Sequence, residues 1–129
     1  MFKFKKKFPT PAEHTKGTNT CEYIVIHHTG TKEWTVAWVI AWLYSRPDFA
    51  SCHFLVDTNW DCYKFWDPTD ILWHAGVSAW GDKTNLNNYS IGIEIIWPLS
   101  NGGFTKEQME AVRALTQHLM GAFGIPPEN

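Results

Sequence analysis

At 129 residues, 44% hydrophobic and 19% charged, the chain has the makeup of one domain that can bury a core without disulfide help. A formal net charge of -2 argues against a nucleic-acid-binding domain, which would be strongly basic, and no apolar run reaches the roughly 18–20 residues that span a bilayer. Three cysteines, Cys21, Cys52 and Cys62, are an odd number without paired spacing; they imply no disulfide framework and fit a reducing compartment.

Residues 1–20 carry a lysine cluster, two prolines and several threonines, and read as a solvated basic tail leading into a domain over residues 21–129. No apolar stretch follows the lysines, so the segment does not resemble a secretory signal. Residues 22–27 form a short, β-branched run of the kind found in interior strands, ending in a loop at residues 28–32. From Trp34 to Tyr44, Val36, Val39, Ile40 and Leu43 recur at helical spacing, and Pro47 prevents continuation. Residues 51–57 and 62–66 flank turn-forming residues and predict a β-hairpin. Residues 67–89, with Pro68, Gly76 and Gly81, read as a long functional loop.

Residues 90–97 are the most buried-looking strand, apolar on both faces except at Glu94. A final helix opens on Thr105 and Gln108, a capping-box pattern, with Met109, Val112, Leu115, Leu119, Met120 and Phe123 as its apolar stripe. Gly124 and Pro126 stop it. The order β-α-β-β-loop-β-α predicts an α/β fold, a central mixed sheet flanked by helices.

Glu94 is the sharpest anomaly. Strand alternation puts it on a face with Gly92 and Ile96, away from Ile93 and Ile95. Desolvation there would raise its pKa towards the range useful for proton transfer, and Gly92 leaves room for a ligand; a salt-bridged glutamate is the plainer alternative. His27 and His28 lie where the first strand meets a loop, on opposite faces, so at most one of them binds a given metal from the strand. A polar strand-end histidine is the competing reading. His53 reads as a hydrogen-bonded core histidine, His74 as a loop residue able to bond a substrate, and His14 and His118 as incidental.

Together, residues 24–30 (IVIHHTG), 51–56 (SCHFLV), 73–80 (WHAGVSAW), 88–94 (NYSIGIE) and the last helix with residues 124–129 (GIPPEN) resemble the zinc-dependent N-acetylmuramoyl-L-alanine amidases. That family includes AmpD-type and AmiD-type bacterial enzymes, phage lysozyme-like amidases and animal peptidoglycan recognition proteins. The segments occur in family order over residues 22–129 and lie nearest the AmpD/AmiD branch. The resemblance implies an amidase-like fold and zinc-dependent hydrolysis of the amide joining the lactyl group of N-acetylmuramic acid (MurNAc) to L-alanine. It makes His27 a zinc ligand and Glu94 the catalytic acid/base, and places His74, Trp73 and Trp80 at the substrate groove.

The family pattern continues past the position of Asn129 into a strand with a second zinc-binding histidine and a loop with a third ligand. On that comparison the zinc site is incomplete and the domain lacks its last strand and loop. A shortened gene product, a second copy completing the site, or recruitment of His28 or His53 would each account for this. An exposed sheet edge makes self-association an expectation. The expected partner is peptidoglycan or a muropeptide, with no nucleic acid and no transmembrane segment. The expected location is the cytoplasm, or the cell wall after release as a phage endolysin. A module that binds muropeptides without cleaving them is the alternative function.

Overall fold

A computed structural model describes residues 18–29, 36–45, 51–75, 78–97 and 103–129. Strand β1 (Tyr23–His28) leads to helix α1 (Val36–Ser45), then to the hairpin of β2 (Phe54–Val56) and β3 (Cys62–Lys64). A second small hairpin, β4 (Ala79–Trp80) and β5 (Lys83–Thr84), precedes a short 3-10 turn (Leu86–Asn88), β6 (Ser90–Ile95) and the long helix α2 (Lys106–Phe123). The main sheet has the order β1-β6-β2-β3; β6 lies parallel to both β1 and β2, and β3 is antiparallel. The predicted mixed sheet with helices against it is therefore present.

Strand alternation divides β6 as its sequence demands. Ile91, Ile93 and Ile95 join Phe54, Val56 and Cys62 beneath Ala111, Val112, Leu115 and Leu119 of α2. Leu55 and Ile96 face the other way, against Val39 of α1, Cys52 and Phe65. Each fully buried leucine of this kind is worth ~2–5 kcal/mol against truncation to alanine. Thr105 caps α2, its hydroxyl accepting from the Gln108 N–H at 3.0 Å, and Gly124 ends it at φ 65°.

Four expectations need correction. β1 is an edge strand among the described residues, with Ile26 48% exposed: β6 pairs with it on one side, and the Asn129 carbonyl accepts from the Ile24 N–H at 3.1 Å. The stretch 67–89 is not a structureless loop: the left-handed backbone at Gly81 and Asn85 folds it into the β4–β5 hairpin and the 3-10 turn. Gln108 does not reach back to its cap residue; its side chain is buried and donates to the Ile96 carbonyl at 2.6 Å. Met109 and Phe123 are exposed; the buried face of α2 runs through Gln108, Ala111, Val112, Leu115 and Leu119. The predicted helix start at Trp34 and its stop at Pro47 lie outside the described residues, as do residues 1–17 of the tail.

Candidate active site on the β1–β6 face

The sheet face beneath α1 carries the titratable groups. His27 of β1 and Glu94 of β6 are register partners on adjacent parallel strands, so both side chains leave the sheet on the same side. Each is half-buried. Glu94 is thus less enclosed than its apolar neighbours suggested. The backbone of Glu94 hydrogen-bonds the Cys52 sulfur, and burial, followed by the Glu94 charge, holds that thiol well above its ordinary range.

His74 enters the same face from the segment before β4. Asn87 Oδ1 accepts from the backbone N–H of His74 at 3.0 Å and of Ala75 at 2.8 Å, which fixes the chain there. The imidazole lies over Gly92, where a Cβ would stand 2.5 Å from His74 Cγ. The space left by Gly92 is therefore filled by the protein's own His74 ring rather than left open to a ligand. His74 Nδ1 stands 3.4 Å from His27 Nε2, and His74 Nε2 stands 3.2 Å from Ser90 Oγ.

His53 lies behind His74, ring centroids 5.8 Å apart, and is wholly buried. Its Nε2–H donates to the Asp70 carbonyl at 2.8 Å, and its Nδ1 accepts from the Gly92 N–H at 3.0 Å. Both nitrogens are engaged, so it is the core histidine that its strand position predicted and has no lone pair to offer a metal. His28 points to the opposite face, its ring 4.4 Å from that of Trp97. Neither His28 nor His53 is recruited beside His27.

Burial makes charging these rings costly. It lowers His53 to about 4 and His74 to about 3, the latter helped by the neighbouring His53 and His27. His27 is lowered by burial and by His28. Neutral imidazole is the form in which a metal takes histidine, so His27 fits as one ligand. Among the described residues no group of three His, Cys, Asp or Glu is placed to hold a metal ion. Those residues by themselves do not assemble a three-donor catalytic centre.

Trp73 is 39% and Trp80 57% exposed. Trp80 joins Tyr23, Ile24, Val25, Ile26, Leu86 and Asn129 around a groove of about 330 Å³ along the outer part of β1. No described helix is long and apolar enough to cross a membrane.

The family model for N-acetylmuramoyl-L-alanine amidases matches residues 17–129. The chain belongs to this amidase family. Over 68 residues it is 38% identical to the N-acetylmuramoyl-L-alanine amidase AmiD of Escherichia coli K12, a match covering 46% of this chain and 25% of that protein. Over 73 residues it is 30% identical to the 1,6-anhydro-N-acetylmuramyl-L-alanine amidase AmpD of Haemophilus influenzae, covering 57% of this chain and 39% of that one. The chain thus spans well under half the length of these curated relatives. Among solved amidases, a selenomethionine derivative of AmpD superposes with a TM-score of 0.80 at 21% identity, over 100% of this chain and 80% of that one, which establishes the fold. E. coli AmiD, solved with the substrate anhydro-N-acetylmuramic acid-L-Ala-D-gamma-Glu-L-Lys, superposes with a TM-score of 0.71 at 27% identity, over 92% and 50%.

Several participants in this amidase face were not singled out from sequence. Ser90 and Asn87 hold His74, and Asn19, assigned to the tail, is buried with its amide donating to the Ser90 carbonyl at 2.6 Å. Ser90 had a legible signal: it shares strand parity with Gly92 and Glu94. Asn19 and Asn87 are 68 residues apart along the chain and carry no periodic signature.

Proposed function

We propose that this chain hydrolyses the amide between the lactyl group of MurNAc and L-alanine in peptidoglycan or its soluble fragments. The observation that carries the proposal is the register pairing of His27 with Glu94, which puts an imidazole and a carboxylate side by side on one sheet face. Family membership and the muropeptide bound by AmiD support the choice of substrate. In this reading Glu94 is the catalytic acid/base. Its carboxylate takes a proton from the attacking water and returns it to the departing alanine nitrogen, a task suited to a half-buried acid. Trp73 and Trp80 present indole faces to the sugar and peptide, and the groove beside β1 accepts an extended ligand.

The metal role of His27 belongs to the same proposal. His27 contributes one nitrogen to a zinc ion whose other protein donors come from outside the described residues. Bound zinc would polarise the lactyl carbonyl and lower the pKa of the attacking water. The edge of β1 past Ile24, whose N–H is already taken by the Asn129 carbonyl, also supports self-association, since exposed Ile26 lies there. The site of action, cytoplasmic recycling of fragments or cell-wall lysis as an endolysin, follows from which of the two substrates is cleaved faster.

The test is release of the stem peptide from a MurNAc–L-Ala-peptide with zinc supplied, alongside Glu94→Gln. Zinc-dependent cleavage that the variant lacks supports the reading. Tight binding of the muropeptide without cleavage would instead identify a recognition module, and cleavage surviving Glu94→Gln would remove the acid/base role.

A further inference from the structure

We propose that Glu128 and Trp80 form a cation subsite in the groove beside β1, which takes the side-chain ammonium of the stem peptide's third residue. The inference rests on the reading of this face as a muropeptide hydrolase and makes Glu128 a specificity-determining residue for it.

The groove lies on the same sheet face as His27. Tyr23 and Val25 share strand parity with His27, so their side chains leave β1 on its side, and Leu86 and Trp80 line the same groove. Asn129 carries the chain across the outer edge of β1. Its carbonyl accepts from the Ile24 N–H and its side-chain amide donates to the Glu22 carbonyl, both at 3.1 Å. Pro126 and Pro127, just before it, line a separate recess with Met120 of α2, whereas Glu128 lines the groove on the His27 side. The turn that ends α2 thus delivers one carboxylate to an otherwise uncharged channel: among the described residues lining it, only the Glu128 side chain carries a charge. The nearby charges are engaged elsewhere. Lys83, the register partner of Trp80, sits over the Tyr89 ring, 4.8 Å from its centroid, and the Glu22 carboxylate accepts from the Thr20 hydroxyl at 2.6 Å.

Separations along the strand fit a stem peptide. Asn129 pins Glu128 beside Ile24, three residues from His27, which is about 10 Å at the rise of a strand. The peptide bound by E. coli AmiD runs L-Ala, D-gamma-Glu, L-Lys. With the L-Ala nitrogen of such a peptide at the His27–Glu94 pair, one ordinary and one γ-linked residue bring the third Cα roughly 10 Å along the groove. The lysine side chain then has only to turn towards the rim. Two features there suit an ammonium: a carboxylate, and an exposed indole able to attract a cation to its face. Acylating the amine removes both attractions.

The test titrates the whole chain with the free tripeptide L-Ala-D-γ-Glu-L-Lys and with its Nε-acetyl form, following the ¹⁵N-labelled Trp80 indole N–H. The tripeptide lacks the scissile bond, so binding is read apart from hydrolysis. The lysine form should bind roughly fivefold more tightly than the acetylated one at low salt, and added salt should shrink the preference. Glu128→Gln should remove most of it, while Glu107→Gln on α2 keeps it; both positions are exposed, so neither replacement disturbs the core. Equal affinity for the two peptides, a preference that survives Glu128→Gln, or no shift at Trp80 with either peptide would overturn the subsite. A lost preference alongside continued cleavage of a MurNAc-peptide overturns the subsite and leaves the hydrolase reading standing. A preference without any cleavage upholds the subsite and overturns hydrolysis.

Discussion

Replacing Gly92 with alanine would put a methyl carbon 2.5 Å from His74 Cγ and 2.8 Å from its Cδ2 and Nδ1. Carbon atoms in contact settle near 3.5–4.0 Å, so the ring must retreat by about 1 Å. The contacts at stake are the root of the imidazole rather than a flexible tip, and the backbone N–H of His74 is tied to Asn87. Overpacking of this kind costs ~1–3 kcal/mol, and loosening the bonds to Ser90 and His27 adds ~1 kcal/mol. Alanine would otherwise be favoured over glycine in a strand interior by roughly 0.5–1 kcal/mol. The net expectation is a loss of about 2 kcal/mol, which moves a urea midpoint by about 1 M. The decisive assay is a double-mutant cycle with His74→Ala, read by urea denaturation. With the ring removed, Gly92→Ala should cost under about 0.5 kcal/mol, and a coupling of at least ~1.5 kcal/mol should separate the two backgrounds. Equal costs in both backgrounds would refute the claim that Gly92 exists to seat His74.

Stability should fall on acidification for a reason specific to the buried histidines. Lowering of the His53 pKa from 6.5 to about 4 means that the unfolded chain binds protons first, so its contribution is complete above pH 6.5 and is lost as the pH falls towards 4. The loss from His53 amounts to roughly 3 kcal/mol; its ring resonances should stay in the neutral form down to pH 5, and protonation near pH 6.5 in the folded chain would contradict this. Glu94→Gln should lower hydrolysis by about 10²–10⁴-fold while changing the urea midpoint little, because the residue is only half-buried. Edge pairing through β1 should appear as concentration-dependent mass in light scattering, and Ile26→Lys should reduce it; a strict monomer at high concentration would remove the self-association proposal.

Much of this arrangement is local and was legible in the residues themselves. The alternation of residues 90–97 assigns Glu94 and Gly92 to one face and the isoleucines to the other, because side-chain direction in a strand has a period of two. Thr105 and Gly124 bound α2 through caps that act within a few residues. The hairpin of β2 and β3 follows from two apolar runs around a turn. Tertiary structure decided what depends on distant partners. Strand order made β1 an edge strand, although its apolar run reads as interior. The register of β1 against β6 set His27 beside Glu94 across 67 residues of chain. His53 and His74 owe their separate roles to what met their nitrogens: an Asp70 carbonyl and the Gly92 N–H for one, Ser90 and His27 for the other. A sequence specifies donors and acceptors, but a histidine's tautomer and role depend on which ones folding brings within reach.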